Sequence, residues 1–183
     1  MFVGQREWAL LMGWIFGYGS LMWRPGFTFE EQCEARLYGY HRSFCVYSHV
    51  HRGTPERPGI VLGLDRGGSC RGMAYRVNDS HWTATLDYLR AREQATAIYL
   101  EREKEIELAG GARASATVYL VDRAHHQYAG RLGINDQLQL VRQGIGLSGA
   151  NPDYVKSTVR HLEGMGIVDG PLHDLLGQLE GGS

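Results

Sequence analysis

Two short segments carry residues whose types and spacing suit acid–base chemistry on a small polar molecule. The first is Gly17-Tyr18-Gly19-Ser20-Leu21, which directly follows the apolar run Trp14-Ile15-Phe16. Alternating glycines let a backbone turn tightly. With no Cβ at Gly17 or Gly19, the N–H groups around Ser20 and Leu21 can face an anion or a developing oxyanion. An ordinary strand-to-loop turn has the same composition, so this segment alone does not decide. The second is Tyr88-Leu89-Arg90-Ala91-Arg92-Glu93, which sets a carboxylate at a helix end ahead of the uncharged stretch 94–100. A carboxyl held against apolar groups has its pKa raised toward neutrality and can serve as a base that also returns the proton. The competing reading is a solvated glutamate beside two arginines.

Other motifs carry less. Gly144-Ile145-Gly146-Leu147-Ser148-Gly149 is a literal G-x-G-x-x-G, but a dinucleotide site needs a strand before it and a βαβ unit after it. Only 34 residues remain, so the segment reads as an interhelical turn. His49 and His51 would project to one side of a strand, yet no third ligand has a supporting spacing and Arg52 disfavours a cation. His125 and His126 are expected to point to opposite sides of an extended chain. Ser20 is no nucleophile elbow, because Tyr18 and Met22 stand where G-x-S-x-G needs glycine. Cys45 and Cys70 read as small buried hydrophobes.

The elements that must position these residues follow from periodicity and punctuation. Short strands are expected over 14–18, about 33–40, 42–48, 59–64 and 71–77, each bounded by Gly, Pro or Asp. Asp79 or Ser80 then caps a helix to about Glu93, with Trp82, Leu86 and Leu89 on its apolar face. Residues 98–108 are ambiguous: the run Glu101-Arg102-Glu103-Lys104-Glu105 favours helix, but a continuous helix from 80 to 108 would be unusually long. A strand is placed there, paired with 114–121. The last third reads as helical. Asn135 or Asp136 opens a helix with Leu138, Val141 and Ile145 inward. Asn151-Pro152-Asp153 opens a second, combining an N-cap, a proline at the first helical position and an early acid, and Gly164 stops it. Pro171 begins the last. Residues 1–13 read as a loose extension and 180–183 as a loose tail, around a single catalytic domain spanning 1–183.

Composition bounds the rest. The 183 residues suffice for one domain with a substantial core. Nineteen basic and twenty acidic residues leave a net charge of −1 without long single-sign runs, which speaks against a nucleic-acid surface. Three separated cysteines without C-x-x-C spacing argue against a disulfide framework or a zinc knuckle and suit a reducing cytoplasm. No apolar stretch approaches membrane-spanning length.

Taken together, several motifs resemble the ChaC family, the glutathione-specific γ-glutamylcyclotransferases. They are Phe16-Gly17-Tyr18-Gly19-Ser20-Leu21 with Trp23-Arg24-Pro25; His51-Arg52-Gly53 with Pro58-Gly59; and Gly72-Met73-Ala74-Tyr75-Arg76. Further along come Tyr88-Leu89 with Arg92-Glu93; Tyr128-Ala129-Gly130; and Ser148-Gly149-Ala150-Asn151 with Tyr154. Each is weak alone, but the ordered set over 14–163 is specific. The resemblance implies an α+β fold, a small mixed β-barrel flanked by helices. It implies that Ile15, Phe16, Gly17, Tyr18, Gly19, Ser20 and Leu21 form the loop that holds the γ-glutamyl group, largely through backbone groups. Glu93 matches the catalytic glutamate and Tyr128 a site-lining tyrosine. One departure stands out: eukaryotic members often follow the glutamate with Gly-Gly-Tyr, whereas here Gln94-Ala95-Thr96-Ala97-Ile98 precedes Tyr99.

The implied reaction closes the γ-glutamyl group of glutathione on itself, giving 5-oxoproline and cysteinylglycine, with Glu93 as general base and then acid. N–H groups near Gly19 and Leu21 would meet either the α-carboxylate or the oxyanion, and Arg24 or Arg52 would pair with the glycine carboxylate. No metal, nucleotide or flavin is needed. A cytoplasmic monomer without nucleic-acid or membrane partners is the expectation. The alternatives are the same chemistry on another γ-glutamyl amine or dipeptide, and a non-catalytic γ-glutamyl-binding module.

Overall fold

A computed structural model of the protein describes residues 12–93 and 97–182, with Met12 described by its backbone. Of the expected loose extension over 1–13, residues 12 and 13 belong instead to the first strand, where pairing with the chain near 77–78 orders them; residues 1–11, the departure at 94–96 and Ser183 lie outside the described residues. Five long strands, β1 (Met12–Gly17), β2 (Glu31–Ser48), β3 (Gly59–Asn78), β4 (Tyr99–Leu108) and β5 (Arg113–Val121), close into a barrel in the order β1-β3-β2-β4-β5. β1 runs antiparallel to β3, with Ile15 opposite Tyr75 and Gly17 opposite Met73. On its other side it runs parallel to β5, with Ile15 opposite Thr117, which makes the barrel mixed and closes it. The helices are α1 (Asp79–Glu93), α2 (Ile134–Gln143), α3 (Asn151–Gly164) and α4 (Gly170–Gly181). The fold is the α+β barrel with helices that the resemblance implied.

Four of the strands expected as separate pieces are two. The pieces 33–40 and 42–48 run together as β2, and 59–64 and 71–77 as β3. Gly67 (φ 104°) and Gly68 (67°), read as punctuation between two strands, lie within β3, and Gly39 (84°) lies within β2; all three sit in the left-handed region. Charged as it is, the run from Glu101 to Glu105 forms strand β4, because β5 supplies partners for its outward carboxylates. Glu103 accepts from Ser115 at 2.8 Å and Thr117 at 2.7 Å, and Glu105 accepts from Arg113. Cross-strand pairing overrides local helix propensity here.

The chain divides into two compact units. One takes the chain up to His41 with Arg66–Leu120. Its core is Ile15, Leu21, Tyr75, Val77, Leu89 and Tyr119, with Phe27, Phe29, Trp82 and Leu86 packed against it. The apolar face of α1 thus falls where its spacing placed it, and truncating the fully buried Leu89 to alanine would cost about 2–5 kcal/mol. α1 is capped one residue earlier than expected: the Asn78 amide oxygen accepts from the Ser80 N–H at 3.0 Å and the Ser80 hydroxyl at 2.9 Å.

The other unit takes Arg42–Asp65 and the chain from Val121 onward. Val141, Val155, Val159, Leu162, Leu172 and Leu175 are buried among its helices. Ile145, expected inward on α2, is 66% exposed. The helix stops at Gln143 because Gly144 turns extended, and a Cβ there would strike the Arg52 carbonyl oxygen. Two-residue strands β6 (Ile145–Gly146) and β7 (Gly149–Ala150) then form a hairpin, so the G-x-G-x-x-G segment is an interhelical turn, not a phosphate cradle. Asn151 does not cap α3. Fully buried, its amide donates to the Ile60 carbonyl at 2.9 Å and accepts from the Ile60 N–H at 2.7 Å, in the manner of a strand neighbour. Asp169 caps α4 by accepting from Leu172 N–H, and that helix continues through Gly181, further than the tail beginning at 180 would suggest. His125 and His126 lie in a turn with their rings stacked 4.3 Å apart, not on opposite sides of an extended chain.

Candidate functional site

The Gly17–Leu21 segment begins where β1 ends. Ile15 and Phe16 are fully buried, and β1 is paired on both sides at Ile15, so these residues anchor the segment through core and ladder. Beyond Gly17 the chain enters a short 3₁₀ turn, Ser20–Met22, in which Met22 N–H donates to Gly19 O at 2.9 Å and Arg24 N–H to Ser20 O at 2.8 Å. Glycine serves here through its size, since neither Gly17 nor Gly19 is in the left-handed region. A Cβ on Gly17 would lie 2.9 Å from Leu21 Cβ, and one on Gly72 of β3 would strike the Gly17 carbonyl. Tyr18, Leu21 and Met22 are buried, while Gly19 and Ser20 are half-buried. The carbonyl end of the turn is held by Tyr75, whose hydroxyl lies 2.9 Å from Leu21 O and 2.7 Å from Met22 O. Burial pushes the Tyr75 phenol up to about 12, so it stays a donor across the neutral range. The N–H groups opening such a turn, around Ser20 and Leu21, are the ones its own geometry leaves without internal acceptors.

Glu93 ends α1 with its side chain 17% exposed. Burial raises its pKa, and the neighbouring Arg92 cation works against that rise. Arg92, 21% exposed, brings the two predicted segments together. One terminal nitrogen donates to Ser20 Oγ at 2.6 Å; the other donates to Arg24 O at 2.7 Å, Pro25 O at 3.3 Å and Tyr88 Oη at 3.1 Å. Its Nε lies 3.3 Å from Glu93 Oε1. The catalytic candidate and the Gly-Tyr-Gly-Ser turn are therefore joined through one guanidinium. Sequence reasoning named Arg92 only as a neighbour of Glu93.

A second clamp holds α1 to the barrel. Arg90 donates to both oxygens of Glu101 on β4, at 2.9 and 2.8 Å, and the Tyr119 hydroxyl donates to Glu101 at 3.0 Å. The Arg90 hydrogen bond leads in drawing the Glu101 carboxyl below its ordinary range, and burial leads in raising the Tyr119 phenol. Glu101 is thus an ionised structural acceptor, whereas burial makes Glu93 a carboxylate that readily takes a proton. These two acids, eight positions apart, have opposite characters set by their surroundings.

Tyr128 belongs to the other unit. Its hydroxyl donates to Asp65 at 2.8 Å, and Arg123 donates to the other Asp65 oxygen at 2.7 Å while lying over the Tyr128 ring. Burial, then the bond to Asp65, pushes the Tyr128 phenol up to about 12. Arg52 donates to Ala150 O at 3.2 Å and stacks over Tyr154 at 5.3 Å, so its guanidinium is engaged in holding β7. Arg24 presents an exposed side chain. His51 Nδ1 is 2.9 Å from Ser148 Oγ. Among the described residues no three His, Cys, Asp or Glu side chains form a metal-holding group, and no helix is long and apolar enough to cross a membrane.

Comparison with known proteins bears on these features. A family model described as ChaC-like protein matches residues 13–180. The chain is 37% identical over 163 residues to the glutathione-specific γ-glutamylcyclotransferase of Escherichia coli, covering 89% of this chain and 71% of that one. It is 31% identical over 174 residues to γ-glutamylcyclotransferase 2-3 of Arabidopsis thaliana, covering 91% and 87%. Among solved structures, a yeast γ-glutamyl cyclotransferase specific to glutathione superposes with a TM-score of 0.84 over 93% of this chain and 96% of that one. At 22% identity that likeness concerns the fold.

Proposed function

The chain belongs to the ChaC-like family, and from that membership we propose that it is a γ-glutamylcyclotransferase that cleaves glutathione to 5-oxoproline and cysteinylglycine. Glutathione carries its nucleophile with it: the free α-amine sits a few bonds from the γ-amide carbonyl. The enzyme's task is to fold that chain, deprotonate the ammonium and stabilise the oxyanion. Glu93 takes the proton. The freed amine attacks the γ-carbonyl, a C–N bond forms and the ring closes as a tetrahedral oxyanion. On collapse the C–N bond to cysteinylglycine breaks; Glu93 gives its proton to the leaving nitrogen and the ring nitrogen sheds its surplus proton to it as well, so the products are the neutral lactam and the cysteinylglycine ammonium. No water is consumed and no electrons are transferred. N–H groups of Gly19, Ser20 and Leu21 serve the anionic oxygens, and Tyr18 and the buried Ile15, Phe16 and Gly17 hold the turn in place.

The observation that carries the reading is the pairing of a largely buried, proton-accepting carboxyl at Glu93 with the Gly-Tyr-Gly-Ser turn through Arg92. A binding module has no use for a base so placed. The reading takes 1–183 as one catalytic domain acting as a cytoplasmic monomer without a cofactor. Incubation with millimolar glutathione, followed by chromatography for both products, tests it. Both products should appear in equal amounts, whereas release of free glutamate would mark a hydrolase. Failure with glutathione but turnover of γ-glutamyl-alanine would move the substrate to another γ-glutamyl compound.

A further inference from the structure

We propose that Arg92 is the positioning residue of this site: its guanidinium locks the turn, the following loop and the end of α1 into one geometry, and aims the Ser20 hydroxyl proton at an anionic oxygen of the γ-glutamyl group. The proposal rests on the reading that this turn and Glu93 form the γ-glutamyl site.

A guanidinium only donates. At 2.6 Å from Arg92, Ser20 Oγ must therefore be the acceptor, which leaves its own proton to donate elsewhere. The bond is charge-assisted and polarises the hydroxyl, making it a better donor to a carboxylate or oxyanion than a free serine. The other N–H groups fix what surrounds it. Arg24 O and Pro25 O tie down the loop whose Phe27 and Phe29 rings pack on Tyr75, at 5.6 and 5.0 Å between centroids. Gly26 shapes that loop from the left-handed region (φ 78°), and a Cβ there would strike the Tyr88 hydroxyl that Arg92 also contacts. Ser20 and Arg92 are 72 positions apart, and only a planar fork with several donors can serve the turn, the loop and the helix at once. A lysine, with a compact charge and three donors on a flexible stem, cannot.

Steady-state kinetics on glutathione for wild type, Arg92→Lys, Arg92→Gln, Ser20→Ala and the Arg92→Gln/Ser20→Ala double variant test this, with circular dichroism and active-site titration alongside. Arg92→Gln should lose on the order of 10²-fold in kcat/KM, the usual cost of misplaced reacting groups. Arg92→Lys should recover only part of it. If Arg92 acts through Ser20, the double variant should fall no further than Arg92→Gln alone. The ascending limb of the pH profile should move to higher pH in Arg92→Gln, which has lost the cation beside Glu93, and stay put in Ser20→Ala. A merely structural arginine would lower the active fraction and leave KM and the limb per active molecule unchanged. That result, or strictly additive losses, or full activity in Arg92→Gln, overturns the proposal. Wild type inert toward every γ-glutamyl compound overturns the functional reading and the proposal with it, whereas an active wild type isolates failure to Arg92.

Discussion

Glu93→Gln is the sharpest perturbation the structure offers, because it keeps shape and removes one property. The amide fills the same volume at the end of α1 and still presents an oxygen to Arg92 Nε, now 3.3 Å from Glu93 Oε1, but it cannot take a proton. General acid–base help is worth about 10²–10⁴-fold, so kcat should fall by that factor, about 2.7–5.5 kcal/mol of barrier at 1.36 kcal/mol per tenfold. Stability should move the opposite way. Burial raises the Glu93 pKa above its ordinary 4.5, with Arg92 opposing. A group raised in the folded state contributes its stability fully below the unfolded value and loses it as pH rises through the folded one. Above the unfolded value the group therefore costs stability that glutamine, with no proton to lose, does not. The variant should melt at or above wild type at pH 7, and the difference should vanish below about pH 4.5. Product chromatography with parallel thermal melts at the two pH values measures both. Turnover within tenfold of wild type would refute Glu93 as the base. A lower melting point at pH 7 would refute the argument that burial penalises its charge.

Three further outcomes follow from particular contacts. Arg24→Ala should raise KM for glutathione with little change in kcat, since the Arg24 side chain is exposed and its carbonyl, not its charge, meets Arg92; Arg52→Ala should lower the melting point instead, as that guanidinium holds Ala150 and Tyr154. Unchanged KM in both, measured by initial rates, would end the idea that either pairs with the glycine carboxylate. Asn151→Ala should cost about 2–4 kcal/mol in urea unfolding, because it strands the buried Ile60 N–H and C=O together. Ala97→Gly should hold or raise the melting point by relieving a non-glycine residue at φ 57°, a strain of about 1–2 kcal/mol partly offset by the greater entropy of unfolded glycine. A clear fall in melting temperature would show that Ala97 is not strained.

Local chemistry was legible from the residues alone. The phase of Trp82, Leu86 and Leu89 placed α1, apolar alternation placed β5, and the end of α1 put Glu93 after its apolar face. The ordered motifs then marked the family. Where the reading failed, a distant partner reversed a local preference. Gly67 and Gly68 read as punctuation between strands because a glycine cannot announce whether neighbouring strands will carry the ladder past it. Asn151 read as a cap because its use, pairing with Ile60 91 positions away, has no local signature. Ile145 was counted into a helix that ends at Gln143, where Gly144 turns extended.

For the candidate site the same division holds. By itself the sequence determined which groups are available: a carboxyl at a helix end, a turn without side chains at two positions, and two arginines nearby. The tertiary structure decided how they are used. Arg90 and Arg92 are chemically identical and two residues apart, yet one fastens a strand through Glu101 and the other joins Ser20 to Glu93. Glu101 and Glu93 are likewise the same acid, and only burial and partners drive one pKa down and the other up. Sequence fixes composition and spacing along the chain. Distance, desolvation and hydrogen-bond direction exist only once remote segments meet.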